Sequence, residues 1–303
     1  MKVQNFLLVV FLAIILGSAN LFAAQPVKAL WVWVDAVSND ADRLALVQQS
    51  AAKGVTDLYV SVYQETDSHM YPWKQIADLI GKAHHSKLNV WAAYGDSGWP
   101  AAGCSPTAWP LLRMGDVKAY DAGNPGNQFD GVVLDVEPTE PPDFQALLTL
   151  YQCIRSTLPN TGPVRLKLAV AIRYFWDTPI SFGGTFKPAY QQIIDLDLDN
   201  VIVMGYRNFA GTADCNQGDG LICLDQDEIA YADSTHRKDL ILAGLETQSD
   251  LPIGLTFFAA GQASMDAQAQ IVASHFRKSN SFGGFAIHAY KTSYEEGSPG
   301  FWP

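Results

Sequence analysis

Eight short runs rich in β-branched, aliphatic and aromatic residues recur along this chain, separated by longer helix-like stretches. They are ALWVWVD (29–35), GVTDLYVSVY (54–63), LNVWAAYGD (88–96), FDGVVLDVEP (129–138), VRLKLAVAIR (164–173), DNVIVMGYR (199–207), KDLILAGLET (238–247) and GGFAIHAY (283–290). Their starts lie about 25 to 45 residues apart, room for one helix and two connections, which is the length of a βα unit. Such alternation argues for parallel strands joined by helical crossovers. Eight units of this kind predict a closed (β/α)8 barrel. Two crossovers are legible directly: ADRLALVQQSAAKG stops at Gly54, and FQALLTLYQCIRSTLPN follows the fourth run. Long loops are expected after strand three (SGWPAAGCSPTAWPLLRMGDVKAYDAGNPGNQ) and strand six (NFAGTADCNQGDGLICLDQDE). No Ser/Pro-rich linker or charge block divides residues 25–303, so they read as one barrel domain, with EEGSPGFWP as a tail lying on the barrel or a frayed end.

The first 24 residues read differently. Lys2, an apolar run from Phe6 to Leu16 and small residues at Ala23 and Ala24 have the layout of a secretory signal peptide. The apolar core, about 11 residues, falls short of the roughly 20 that cross a bilayer. The mature chain is expected to begin at Gln25, to be secreted or periplasmic, and to have no membrane partner. In an oxidising compartment Cys104, Cys153, Cys215 and Cys223 are expected to form disulfides. Three complete pairings exist, and Cys215 with Cys223 is favoured because the two bracket the short polar loop CNQGDGLIC. A net charge of -11 excludes the broad basic surface that nucleic acid requires. No P-loop, dinucleotide fingerprint or G-x-S-x-G elbow occurs, nor any C-x-x-C or H-x-x-x-H spacing, so neither cofactor nor metal is expected. His84 and His85 are read as solvent-facing on a helix. The protein is expected to act as a monomer.

In barrels of this type the active site lies where the strands end and their following loops begin. The period-two alternation of strand four puts Val133, Asp135 and Glu137 on one face, with Glu137 at the mouth. Inward acids are costly unless used or hydrogen-bonded, so Asp135 and Glu137 are the leading catalytic candidates. An apolar wall around Glu137 would suit it as a proton donor. LAGLET places Glu246 at the end of strand seven, where it could act as a second catalytic carboxylate, bind ligand, or pair with Arg173 or Arg207, which are themselves candidate substrate-binding residues. A retaining glycosidase needs its two carboxyl groups about 5 to 5.5 Å apart, an inverting one about 6.5 to 9.5 Å. Trp33, Tyr63, Tyr94, Trp99, Trp176, Tyr206 and Tyr290 are candidate sugar platforms near the same end, since flat apolar rings pack on pyranose faces. Trp99, Trp109 and Trp176 are placed in loops. His288 is read as bonding a substrate hydroxyl or Glu246.

The fourth run resembles the D-G-x-D-x-D-x-E signature of glycoside hydrolase family 18, the chitinases and their relatives, through Asp130, Gly131, Asp135 and Glu137. Met204-Gly205-Tyr206 resembles that family's M-x-Y in strand six. The resemblance implies Glu137 as general acid, Asp135 as the group orienting the substrate's N-acetyl, and Tyr206 as stabiliser of the intermediate. Val133 stands where an Asp is usual, Val136 where an aromatic is usual, and Arg207 where Asp or Asn commonly follows the Tyr. LWVWVDA, VMGYRNFA, LAGLET and GGFAIHAY also resemble uncharacterised secreted bacterial barrels. The expectation is a secreted hydrolase of an amino-sugar polysaccharide such as peptidoglycan, chitin or chitosan. The acidic balance keeps deacetylated polymers in view. The alternative is a lectin-like barrel that binds carbohydrate without turnover.

Overall fold

In a computed structural model of the protein, residues 26–33, 37–64, 67–70, 73–138, 141–159, 165–212, 215 and 218–290 are described, without the side chains of 63–70, 73, 141 and 142. The expected signal segment, the C-terminal tail and the Tyr63 side chain lie outside that description. Eight strands, β1 (Val27–Val32), β2 (Asp57–Ser61), β3 (Asn89–Tyr94), β4 (Gly131–Leu134), β5 (Lys167–Arg173), β6 (Asn200–Met204), β7 (Ile241–Glu246) and β8 (Phe282–Tyr290), close into one barrel. Every neighbouring pair is parallel, and β8 pairs with β1 to complete the ring. Seven crossover helices cover it: α1 (Asp40–Ala52), α2 (Trp73–His85), α3 (Trp109–Gly123), α4 (Pro141–Thr157), α5 (Ala189–Ile194), α6 (Leu221–Ser234) and α7 (Gly261–His275). The expected (β/α)8 architecture is the one observed.

Alternation along the strands separates two cores. Trp31, Tyr59, Trp91, Val133, Ile202 and Leu242 fill the barrel interior, with Ala29, Ala93, Ala169 and Ala171 leaving room for the large rings. The intervening residues, among them Leu58, Val90, Val132, Leu134, Val170 and Val201, face the helices. Gly131 is required by this packing: a Cβ there would stand 2.4 Å from the Trp91 ring and 2.9 Å from the Lys167 carbonyl oxygen. Neighbouring Asp130 accepts from the Val90 amide (2.7 Å) and bonds His84 Nε2 (2.9 Å). That end of the strand-four motif therefore supports the base of the barrel. His84 is tied down there, not solvent-facing as expected.

The stretch after β3 differs from the expected long loop. It holds a one-turn helix, Trp99–Ala102, and then α3 itself. Pro110 sits in the first turn, where its missing N–H costs nothing, and Met114, Val117, Tyr120 and Asp121 recur at helical spacing on the buried side. Glycines 115 and 123 had masked that period. After β6 the loop runs only to Gly220, where α6 begins. Two short hairpins were not foreseen: Tyr63–Gln64 with Asp67–Met70 after β2, and Pro179–Phe182 with Thr185–Pro188 after β5.

The disulfides are Cys215–Cys223, the favoured pair, and Cys104–Cys153, with Cα separations of 5.2 and 5.9 Å. The first staples the loop after β6 to α6. The second ties the connection after β3 to α4. No described helix is long and apolar enough to cross a membrane.

Candidate active site

Regular pairing of β4 ends at Leu134, yet the Asp135 amide still donates to the Tyr94 carbonyl (2.8 Å). The strand's alternation therefore carries on past its last paired residue. Val133 lies in the interior cluster and Val136 in the outer one, leaving Asp135 and Glu137 on the interior side toward the mouth. Glu137 sits close enough for its charge to act on the Asp135 carboxyl, whose buried Oδ1 meets no donor among the described residues. Burial, followed by the adjacent Glu137 charge, raises the Asp135 carboxyl to about 7, against the opposing pull of His288 and Arg173. Such a carboxyl still holds its proton in mildly acidic solution. Glu137 is the more open of the two, with 31% of its side chain exposed.

Arg173, at the end of β5, donates from Nε to Glu137 Oε2 at 2.5 Å. The wall beside Glu137 is thus a guanidinium, where an apolar surface was expected. Glu246 ends β7 and is 1% exposed. Its Oε1 accepts from the amides of Thr247 and Gln248, both at 2.7 Å, and its Oε2 meets His288 Nδ1 at 2.8 Å. The partner of Glu246 is therefore His288, one of the two expected for that histidine, and neither arginine. Burial pushes the imidazole's proton affinity down, but the Glu246 hydrogen bond and the charges of Glu246, Asp135 and Asp250 more than offset it, so the net shift is upward.

Three aromatic rings hold that imidazole. Trp33 meets it edge-on with centroids 5.6 Å apart, Trp31 likewise at 6.4 Å, and Tyr206 lies nearly parallel at 6.3 Å. Tyr206 reaches this position because residue 244 is glycine: a Cβ there would stand 3.0 Å from Tyr206 Cε1. Burial, and then the carboxylates of Glu246, Asp135 and Glu137, raise the Tyr206 hydroxyl well above its ordinary range. It stays protonated, a hydrogen-bond donor beside three carboxyl groups. Arg207 pairs with Asp219 and donates to the Tyr206 carbonyl at 2.8 Å.

The structure thus gathers Asp135, Glu137, Arg173, Tyr206, Glu246, His288 and Trp33 at one end of the barrel. Four expected platforms are elsewhere. Tyr94 (4% exposed), Trp99 (4%), Trp176 (1%) and Tyr290 (2%) all belong to the core between barrel and helices. Tyr94 shares the outward phase of Val90 and Ala92, and Trp99 packs on it from the one-turn helix at 6.1 Å. Trp176 is covered by Phe144 of α4, ring to ring at 5.1 Å. Trp109 opens α3 beneath the Arg113 guanidinium (4.1 Å), not in a loop. Among the described residues the exposed rings are phenylalanines instead: Phe175 at 51%, Phe209 at 38% and Phe186 at 72%. For Phe175 the run Arg-Tyr-Phe-Trp at the end of strand five was the available signal, because consecutive bulky residues leaving a strand cannot all turn inward. No cluster of three or more His, Cys, Asp or Glu arranged to hold a metal occurs among the described residues.

Among solved structures, the chain superposes on the spore cortex-lytic enzyme SleL of Bacillus megaterium QM B1551 with a TM-score of 0.57, at 14% identity over 87% of this chain and 70% of that one. A class V chitinase from Pseudomonas fluorescens Pf-5 gives 0.56 at 14% identity, over 92% and 98% of the two chains. The xylanase-α-amylase inhibitor protein XAIP-I, solved with trehalose, gives 0.53 at 13% identity, over 88% and 93%. No family model and no curated protein matches the sequence. At these identities the likeness is one of fold, and the chain shares its (β/α)8 barrel with a cortex-lytic enzyme, a chitinase and an inhibitor protein alike.

Proposed function

We propose that the protein is a secreted glycoside hydrolase of an amino-sugar polysaccharide, with Glu137 as its general acid and base. The observation that carries this reading is the adjacent Asp135–Glu137 carboxyl pair on the interior side of the barrel mouth, Asp135 with a buried oxygen and Glu137 with 31% of its side chain exposed. Glycosidic cleavage requires a proton for a poor leaving group while positive charge builds at the anomeric carbon. Asp135 supplies a proton that Glu137 can share, and Arg173 fixes the Glu137 carboxylate. The Tyr206 hydroxyl offers a donor to the acyl oxygen of an N-acetyl group or to a developing oxyanion. Glu246 is enclosed and its oxygens are occupied by two amides and a histidine. We assign it to holding His288, not to attack on the sugar. With no second open carboxylate beside Glu137 among the described residues, the favoured nucleophile is the substrate's own acetamido group. The cortex-lytic and chitinase structures on the same barrel support this substrate class. The two disulfides support an oxidising, extracytoplasmic location.

The inhibitor protein on the same barrel favours a second reading, a binding protein without turnover. Release of reducing ends from chitin, chitosan and peptidoglycan by the mature protein separates the two. Glu137→Gln is expected to lower kcat at least about a hundredfold, the lower bound for losing a general acid, with KM little changed. Binding without product in the wild-type protein would establish the second reading.

A further inference from the structure

We propose that Arg173 and Phe175, just beyond the end of β5, form a subsite that holds a carboxylate-bearing sugar of the glycan beside Glu137. The inference rests on the glycosidase reading above and narrows its substrate class to an anionic amino-sugar chain. Arg173 spends only Nε on Glu137. Orienting one carboxylate needs no more than that, and the terminal nitrogens of the guanidinium make no other hydrogen bond among the described residues. The side chain is 30% exposed. The fork that remains matches a carboxylate in plane and spacing, where a lysine would present only a point charge.

Phe175 supplies the matching apolar face. Its ring is 51% exposed, and the Arg173 guanidinium carbon lies 5.7 Å from its centroid. Tyr174 buttresses that ring edge-on at 5.3 Å and carries the Arg207 guanidinium over its own ring at 5.8 Å. Two guanidinium groups, with the two rings between them, therefore line one ledge beside the acid. A pyranose laid on Phe175 would bring a ring substituent within reach of Arg173. The ammonium of a deacetylated sugar would meet a like charge there. The protein as a whole carries -11 and repels polyanions, so a local fork is what such a ligand needs in order to dock.

The experiment titrates the intact mature protein with muramic-acid-containing disaccharides, too short to be substrates, and with the same disaccharides after carboxyl reduction, using ligand-observed NMR. The carboxylate form is expected to bind about tenfold more tightly, the increment of one charge-assisted bidentate contact. The preference should shrink as salt rises and vanish in Arg173→Gln. Phe175→Ala, at an exposed position that folding does not depend on, should weaken both forms. Equal affinities for the two forms, a preference that survives Arg173→Gln, or no binding of either form would overturn the proposal. The readout needs no turnover: absence of product from every polymer, with the preference intact, would sink the glycosidase reading and leave the subsite standing.

Discussion

Replacing Glu228 by Gln should make the protein more stable at neutral pH, because α6 buries two carboxyl groups that nothing in the described structure partners. Asp225 and Glu228 stand three residues apart on one helix face, 0% and 1% exposed, and none of their four carboxyl oxygens meets a donor. Burial raises both groups. At Asp225 the effect of burial is reinforced by Glu228; at Glu228 it outweighs the opposing influence of that residue's own backbone, with Asp177 and Asp227 adding smaller upward contributions. Glu228 is pushed from 4.5 to about 8. An acid whose folded value is raised stabilises the fold only while it keeps its proton. Below 4.5 both states are protonated and nothing is lost; between 4.5 and 8 the unfolded chain ionises and the folded one does not. Stability therefore falls with rising pH by about 1.4 kcal/mol per unit, or roughly 3 kcal/mol by pH 7 and roughly 5 kcal/mol across the window. Glutamine has the shape of the protonated acid and does not titrate. Urea unfolding of wild type and Glu228→Gln at pH 5, 6, 7 and 8 is the assay, with the two curves close at pH 5 and separating in favour of the variant by about 3 kcal/mol at pH 7. In a domain of this size each kcal/mol also moves Tm by roughly 2 to 4 °C. Parallel pH dependences for the two proteins would refute the argument, since they would mean that Glu228 ionises freely in the fold.

Three further outcomes are expected. The pH profile of kcat/KM on the preferred polymer should lose activity as pH rises past about 7, where Asp135 gives up the proton that it shares with Glu137; a flat profile from pH 6 to 8.5 would dissociate Asp135 from the chemistry. Breaking Cys104–Cys153 by paired Cys→Ala substitution should cost about 4 kcal/mol, against about 2.5 kcal/mol for Cys215–Cys223, from loops closed at separations of 49 and 8 residues; calorimetry showing the reverse order would put strain or residual structure ahead of chain entropy. Gly131→Ala should destabilise by about 1 to 3 kcal/mol by forcing a methyl into the Trp91 ring, and urea titration reads this directly.

How much of this was legible in the sequence depends on how many constraints act on each residue. The strands were readable because a barrel strand is packed on both faces, so its whole length must be apolar and β-forming; every expected run overlaps an observed strand. Asp135 and Glu137 were readable for the same reason, as polar residues interrupting an interior phase that reaches up from Val133. Tyr94 and Tyr290 are still on strands yet carry the outward phase, and Trp99 and Trp176 lie just past strand ends, where a helix turn or a covering ring from α4 decides burial. A tryptophan leaving a strand gains most from whatever apolar surface is nearest, and here that was the helix layer, not the mouth. Phe175 stayed outside because the chain turns directly after β5, the Trp176 amide bonding back to the Arg173 carbonyl, and Trp176 takes the buried position under Phe144. The pairing of Glu246 with His288 was only half legible: both lie on neighbouring strands β7 and β8 in direct register, but register follows from barrel shear, which a single sequence does not state. The chemistry of such a site therefore depends less on which polar residues the strands carry than on which of them the register sets side by side. At this mouth that register leaves Glu137 as the open carboxylate and turns Glu246 into its neighbour's support.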